Sequence, residues 1–319
     1  MEPLPRGAQF VRSKMLWEIA LGYAGDPSIP YYGNRDVAIY VGNASGEVFT
    51  PSLRMSPGSP ALAAGVCRGD LDVAFVNPSA LLTQAYIGKG LFSEPLPVRV
   101  IAVYPSWDRF VIAVRPGAGI SSLADIKDKQ MPVRVSVRED ATHSTRVLLD
   151  QMLPLYGYTL ADIESWGGSF QLNGPPGDPR RLAAIAEGSV DIVFDEGIVT
   201  WLDAALQAGY QPLVPEESVL AQLEAMGWRR AVLPKARYPR LAADSASIDY
   251  SGWPLYTRDE LPDEDAYRIA AAIGARADEI QWEDSYTGLA QLAGGTEATP
   301  LEVPLHPGAM RWYQEQGLI

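Results

Sequence analysis

The sequence predicts an α/β protein of two similar lobes with a ligand cleft between them. Three observations carry that expectation. Ser59 to Ser79 (SPALAAGVCRGDLDVAFVNPS) reads as a helix, a glycine turn, a buried strand and a polar strand end. The same grammar returns after Asp178-Pro179, where Gly188-x-x-Asp191-x-x-Phe194 matches Gly69-x-x-Asp72-x-x-Phe75 position for position. Finally, Val98 to Tyr104 and Phe110 to Val114 are β-rich runs separated by Pro105-Ser106-Trp107-Asp108, the form of an interlobe hinge. In open α/β sheets, ligands sit beyond the carboxyl ends of the strands, so two such edges facing each other make a cleft. The plain alternative is that any two amphipathic helix–strand units look alike.

The totals fit that scheme. A chain of 319 residues has room for two domains or one large one. Hydrophobic residues at 47% and charged residues at 20% describe an ordinary soluble globular protein. The net charge of −13 argues against a nucleic-acid partner or an anionic membrane surface, which need a basic footprint. It leaves room for a locally basic cleft. Cys67 is the only cysteine, which excludes an internal disulfide. The amino-terminal stretch carries no signal peptide, because the apolar run from Met15 is short and broken by Glu18. No stretch approaches the ~18 apolar residues of a membrane span. The expectation is a cytoplasmic protein as the chain stands, or a periplasmic one whose export signal has been trimmed.

In chain order, Met15 to Leu21 (MLWEIAL) reads as a first strand, and Gly22 to Pro27 as a glycine-bearing loop at its end. That loop is either a close backbone approach to a ligand or a plain turn. Asp36 to Gly42 is helix or strand, and Glu47 to Thr50 a short strand. Ser59-Pro60 then caps the first organising helix, with proline where its missing N–H costs nothing. Ser121-Ser122 caps a helix through Leu123-Ala124-Asp125-Ile126, and Val133 to Val137 is a strand. Arg138 to Thr145 (REDATHST) leads into an amphipathic helix with Val147, Leu148, Met152 and Leu153. Val199 to Leu206 is helical, and Gly209 to Ser251 is a long connection without a clear period. Trp253 to Arg258 is a late strand, followed by an acidic helix start at Asp263-Glu264-Asp265 and a long helix through AYRIAAAIGARADEIQW.

Chemistry-bearing motifs are few. Two histidines, His143 and His306, and one cysteine offer no zinc spacing. There is no Walker loop, no dinucleotide fingerprint and no nucleophile elbow, so no cofactor is expected. The junction at Arg138, Thr142, His143, Ser144 and Thr145 is the richest. Free helix N–H groups and hydroxyls there attract an anion, with Arg138 as a bidentate partner. The plain reading is an ordinary helix cap with a surface histidine. Asp195-Glu196, at a strand end, is catalytic, amine-binding or simply solvated. Cys67, beside Arg68, is a nucleophile or a buried helical cysteine.

Taken together these residues resemble the TAXI family of solute-binding proteins that serve TRAP transporters. The resemblance runs through LAAGVCRGDLDVAFV (62–76), RPGAGISSLADIK (115–127), WPLYTRDELPDE (253–264) and Leu305-His306-Pro307-Gly308-Ala309 with the aromatic pair Trp312-Tyr313. It implies a two-lobed type II periplasmic-binding-protein fold with an interlobe cleft. Lobe 1 would hold 1–104 and 253–319, lobe 2 would hold 105–252, and the hinge would lie near 104–108. It implies as ligand a small organic acid or amino acid, and as partners the membrane subunits of a TRAP transporter. Carried over by position, the ligand would meet Tyr23, Ser56, Ser59, Asn77 and Ser79 from lobe 1. From lobe 2 it would meet Arg138, Thr142, His143 and Ser144, with Asp195 or Glu196. The first loop (GYAGDPSIPYYG) and the segment Arg138 to His143 depart from the family's glycine-rich patterns, in the direction of a changed ligand or a changed job.

The expected function is therefore a receptor that closes on a small carboxylate or amino acid, walled by Trp107 or Trp253, for uptake or for sensing. The alternative is an enzyme on the same scaffold, a lyase, decarboxylase or hydrolase of a small organic acid, with His143, Asp195 and Glu196 as acid/base groups.

Overall fold

A computed structural model describes residues 15–17, 19–20, 22–23, 26, 28, 37–45, 48–56 and 60–319. The architecture is mixed α/β, with two sheets and two lobes. The first sheet takes β1 (Ile39–Ser45), β2 (Val48–Ser56), β3 (Val73–Phe75), β4 (Val98–Tyr104) and the late β12 (Trp253–Arg258), in the order β1-β2-β3-β12-β4. Around it stand α1 (Leu62–Arg68) and α2 (Ser79–Ile87). The chain then crosses at 105–108 into the second sheet.

That sheet holds β5 (Arg109–Val114), β6 (Arg134–Arg138), β7 (Ser169–Asn173), β8 (Ile192–Asp195), β9 (Gln211–Pro212), β10 (Arg230–Leu233) and β11 (Ser245–Asp249). Its order is β10-β11-β5-β8-β6-β7, with β9 also on β5. Its helices are α3 (Leu123–Asp128), α4 (Ser144–Met152), α5 (Leu160–Ser165), α6 (Pro179–Glu187), α7 (Leu202–Gln207) and α8 (Glu217–Ala225). The chain returns at 250–252 to β12, then forms α9 (Asp263–Ala275) and α10 (Pro307–Glu315). Among the described residues, no helix is long and apolar enough to cross a membrane.

Local chemistry explains most elements. Ser122 caps α3 as its sequence implies: its Oγ accepts from the Ala124 N–H at 3.0 Å, while Asp125 accepts from the Ser122 N–H at 3.0 Å. Gly69 and Gly188 end α1 and α6 with φ of 78° and 64°, the left-handed turn that only glycine makes without a Cβ penalty. β8 is buried on every residue, set between β6, with which it runs parallel, and β5, with which it runs antiparallel.

Three expectations are corrected. Residues 15–17, 19–20 and 22–23 are helical, not a first strand. Met, Leu and Ala are strong helix formers, and MLWEIAL carries only one β-branched residue. The connection from Gly209 to Ser251 holds β9, α8, β10 and β11, elements too short to show a period in sequence. The late helix stops at Ala275, where a short 3₁₀ turn over Ala277–Glu279 follows. Ser59, expected as a cap and a ligand contact, lies outside the described residues.

One cluster of buried apolar side chains runs through both lobes. It includes Val100, Ile101 and Val103 of β4, Leu81 and Leu82 of α2, Val135 and Val137 of β6, and Leu148 and Leu149 of α4. A second lies on the far face of β5 and β8, around Trp201, Leu206 and Tyr210.

Candidate functional site

The repeat legible in the sequence is a repeat of ion pairs in space. Asp72 exchanges backbone hydrogen bonds with Arg54 of β2: the Asp72 N–H donates to the Arg54 carbonyl at 3.0 Å, and the Arg54 N–H donates to the Asp72 carboxylate at 2.9 Å. The Arg54 and Arg258 guanidiniums both reach the same carboxylate at 3.4 Å. In the second lobe Asp191 does the same with Arg134 of β6, at 2.8 Å and 3.0 Å, and holds the Arg134 and Arg115 guanidiniums at 2.7 and 2.8 Å. Burial raises the Asp191 carboxyl, but its hydrogen bonds from Arg134 and Arg115 prevail and hold it at about 2. These clamps lock β2 beside β3 and β6 beside β8 in one register, with Ser56 opposite Ala74 and Ser136 opposite Val193. The strand ends Val76-Asn77 and Asp195-Glu196 therefore occupy equivalent places in the two lobes.

At the second of these ends lies a buried charged cluster. Arg138, at the tip of β6, donates to Asp195 at 2.9 Å, and to Glu196 and the Gly174 carbonyl. Arg181 of α6 donates to the other Asp195 oxygen, to the Pro176 carbonyl at 2.8 Å and to the Ser136 hydroxyl at 3.0 Å. Asn173 completes the floor by donating to Ser136 at 2.9 Å. Arg138, Arg181 and Asp195 are all buried. Burial opposes the Asp195 charge, but the two guanidiniums keep its carboxyl below the usual range.

His143 stands above the cluster as the cap of α4. Its Nδ1 accepts from the Thr145 N–H at 3.3 Å, which leaves the proton on Nε2, 4.0 Å from a Glu196 oxygen. Burial, then the Arg138 charge, lower its pKa to about 4, so the ring is neutral at neutral pH. Asp108, in the crossing, is pushed the other way. Burial first, then the Glu196 charge and a hydrogen bond to it, hold its carboxyl well above the usual range. The Gly197 N–H donates to Asp108 at 2.6 Å. Asp108 and Glu196 thus form a close pair of carboxyl groups at the junction of the lobes, and their mutual repulsion and hydrogen bond help hold the Asp108 carboxyl above the usual range.

The two crossings are bound to one another as a ribbon. The Tyr250 N–H donates to the Asp108 carbonyl at 3.1 Å, and the Gly252 N–H donates to the Ser106 carbonyl at 2.9 Å. The buried Arg109 guanidinium donates to Asp249 and Ser251, each at 2.9 Å, and to Glu297 of the carboxyl-terminal segment. Trp107 lies between the Arg109 and Arg237 guanidiniums, 4.3 and 3.9 Å from its ring centre, and its indole N–H donates to Glu297 at 3.0 Å.

Both lobes send a helix N-terminus to this ribbon. The Ser79 N–H, opening α2, donates to the Ser251 carbonyl at 3.3 Å, and the Asn77 side chain donates to the Tyr250 and Gly252 carbonyls at 3.2 and 3.3 Å. Ser144, opening α4, lies beside the Tyr250 hydroxyl. Farther along, the same two helices touch. Gln84 of α2 and Gln151 of α4 hydrogen-bond at 3.2 Å, and the Trp228 indole N–H donates to Gln151 at 2.7 Å. The two sheet units are therefore joined by side-chain contacts at this end.

The structure thus brings together Asn77, Ser79, Arg138, His143, Ser144, Asp195 and Glu196, with Trp107 in the ribbon itself. Trp253 opens β12 next to the return crossing, paired with Tyr104. Thr142 is exposed and donates to Asp140 at 2.8 Å. Ser56 ends β2 on the wall of a separate apolar cavity. Tyr23 is a helical residue, 69% exposed. Arg138 spends its donors on Asp195, Glu196 and Gly174, so an anion drawn to it competes with Glu196. Sequence reasoning missed Asp108, Arg109, Arg181, Tyr250 and Glu297. Arg181 carries a usable signal: a cation in the first turn of a helix opposes the macrodipole, so a carboxylate partner is implied. The others meet only through distant chain segments. Among the described residues, no group of acidic, histidine or cysteine side chains is placed to hold a metal.

Residues 196–317 match the NMT1-like family. Several solved structures are similar over most of the chain. A Xanthomonas citri protein bound to chloride ion is 11% identical over 81% of this chain and 80% of that chain, with a TM-score of 0.38. An R. palustris protein with adipate is 16% identical over 81% and 79%, with a TM-score of 0.34. The L-cystine solute receptor of Neisseria gonorrhoeae, in its unliganded open conformation, is 15% identical over 68% and 66%, with a TM-score of 0.26.

Proposed function

We propose that the protein is a solute receptor whose two lobes close on a small organic anion, a carboxylate or an amino acid. The observation that carries this reading is the convergence of two helix N-termini, α2 from one lobe and α4 from the other, on the Tyr250–Gly252 crossing. Such termini are anion sites through their N–H groups and dipoles. In this reading lobe 1 comprises 1–104 and 253–319, lobe 2 comprises 105–252, and the paired crossings are the hinge. Opening separates Gln84 from Gln151 and exposes Asn77, Ser79, His143 and Ser144 to solute. Closure returns them around the ligand, with neutral His143 donating from Nε2 and Arg138 available when Glu196 yields. Delivery to the membrane subunits of a TRAP-type transporter is the role that the TAXI-like motifs support.

A second reading has one observation in its favour. A neutral imidazole beside two close carboxyl groups, one of them with its pKa raised, is the arrangement of an acid/base catalyst. The two readings separate on the fate of the ligand. Calorimetry with aliphatic dicarboxylates and amino acids, followed by mass spectrometry of the recovered ligand, is the test. Binding with the ligand intact supports the receptor. Loss of the ligand that is abolished in Glu196→Gln overturns it in favour of an enzyme, and no binding to either class overturns both.

A further inference from the structure

From Thr296 to Leu305, just before α10, the chain runs as a segment with two sides. One side is buried, with Ala298, Val303 and Leu305 in the core. Its backbone is tied to β4 of the first sheet: the Val100 N–H donates to the Pro304 carbonyl at 2.9 Å, and the His306 N–H donates to the Val100 carbonyl at 2.8 Å. The other side is exposed and carries two carboxylates, Glu297 and Glu302. Both reach across to residues of the second sheet.

The two carboxylates are the ends of one chain of ion pairs. Glu297 pairs with the buried Arg109 guanidinium and accepts from the Trp107 indole N–H at 3.0 Å. Arg109 pairs with Asp249 at 2.9 Å, Asp249 with Arg229 at 3.2 Å, and Arg229 with Glu302 at 3.3 Å. Glu302 also accepts from the Thr83 hydroxyl of α2 at 2.9 Å, one residue from the Gln84 that meets Gln151. Between these ends the segment lies on both crossings. The Ser106 N–H donates to the Ala298 carbonyl at 3.0 Å, and a Cβ added at Gly252 would stand 2.7 Å from Pro300 Cδ. An isolated exposed ion pair contributes little. Here Asp249 couples the two ends through two guanidiniums, and burial of Arg109 weakens the screening of its pair. We propose that this segment is a strap, in which Glu297 and Glu302 hold the two lobes in the arrangement described and set how readily the crossings bend. The proposal rests on the receptor reading only in that the lobes move about these crossings. Because both carboxylates are exposed, the strap answers to ionic strength, which loosens it.

X-ray scattering and hydrogen exchange on the full chain, without ligand and over a sodium chloride series, test this. Glu297→Gln with Glu302→Gln should shift the open-to-closed ratio about tenfold, an ordinary coupling between two sites. It is read as a larger radius of gyration at low salt and about tenfold faster exchange of the Tyr250 and Gly252 amides, with β4 and β6 amides unchanged. The parent should approach the variant's radius near about 1 M salt, where the screening length falls to ~3 Å, while the variant should not respond. Glu302→Gln alone keeps the buried Arg109 paired and should show the same effect in smaller degree if the double variant fails to fold. Unchanged radius and exchange with only a lower melting temperature overturns the strap, because the ion pairs then brace the fold and nothing more. A parent radius indifferent to salt overturns it as well. Gln151→Ala separates this from the receptor reading. A larger radius in Gln151→Ala but not in the strap variants overturns the strap alone, and no change in any of them means that the lobes do not open and overturns both.

Discussion

Replacing Asp195 by Asn should be among the most destabilising single changes in the second lobe. Asp195 is fully buried between two guanidiniums, with Arg138 on one oxygen and Arg181 on the other. The neutral amide leaves Arg138 with Glu196 but strands Arg181, whose remaining partners are the Pro176 carbonyl and the Ser136 hydroxyl. Breaking a buried pair by removing one partner costs about 3–5 kcal/mol. With a urea m-value of about 3 kcal/mol/M, the midpoint should fall by about 1–1.7 M. Circular dichroism in urea reads this, with m unchanged. Adding Arg181→Met removes the stranded charge, and the double variant should be at least about 1 kcal/mol more stable than the sum of the two single changes. A fall below about 0.3 M for Asp195→Asn, or strict additivity in the cycle, would refute a closed pair of guanidiniums around one carboxylate.

Four further outcomes follow from the same geometry. Asp191 has a folded pKa of about 2, below the ~3.9 of a free aspartate, so its contribution is complete above pH ~4 and is lost as pH falls towards 2; Asp191→Asn should flatten that limb of an acid titration of stability. His143 is held near 4 against ~6.5 when free, so the folded state binds fewer protons between these values and stability falls as pH drops through that window. An NMR titration should show its midpoint near 4, and His143→Asn, which keeps a capping acceptor, should remove that pH dependence. Gly69→Ala and Gly188→Ala should each cost about 1–2 kcal/mol in a denaturant titration, because both turns are left-handed. Gln151→Ala removes the acceptor of the Trp228 indole and the bridge to Gln84, so X-ray scattering should show a larger radius without ligand, and affinity for any ligand that closes the lobes should weaken about tenfold.

The recurrence of Gly-x-x-Asp-x-x-Phe was visible in the residues because turn and register chemistry is local. A left-handed turn needs glycine, and an aspartate at the strand entrance needs neighbouring donors. The break at Pro105 to Asp108 was equally legible, since proline and small polar residues end strands. The cap at Ser122 and the polar strand ends at Asn77 and at Asp195-Glu196 belong to the same class. Helix against strand at Met15 to Leu21 was not decided by pattern, because a short apolar run fits either period and propensity favoured the helix. The charged cluster was decided by tertiary structure alone. Arg138, Arg181 and Asp195 come from three elements, Asp108 from the crossing, and Glu297 from near the carboxyl terminus. No spacing in sequence links them; packing two lobes around a shared ribbon brings them together, and burial there, with the neighbouring charges, separates their proton affinities.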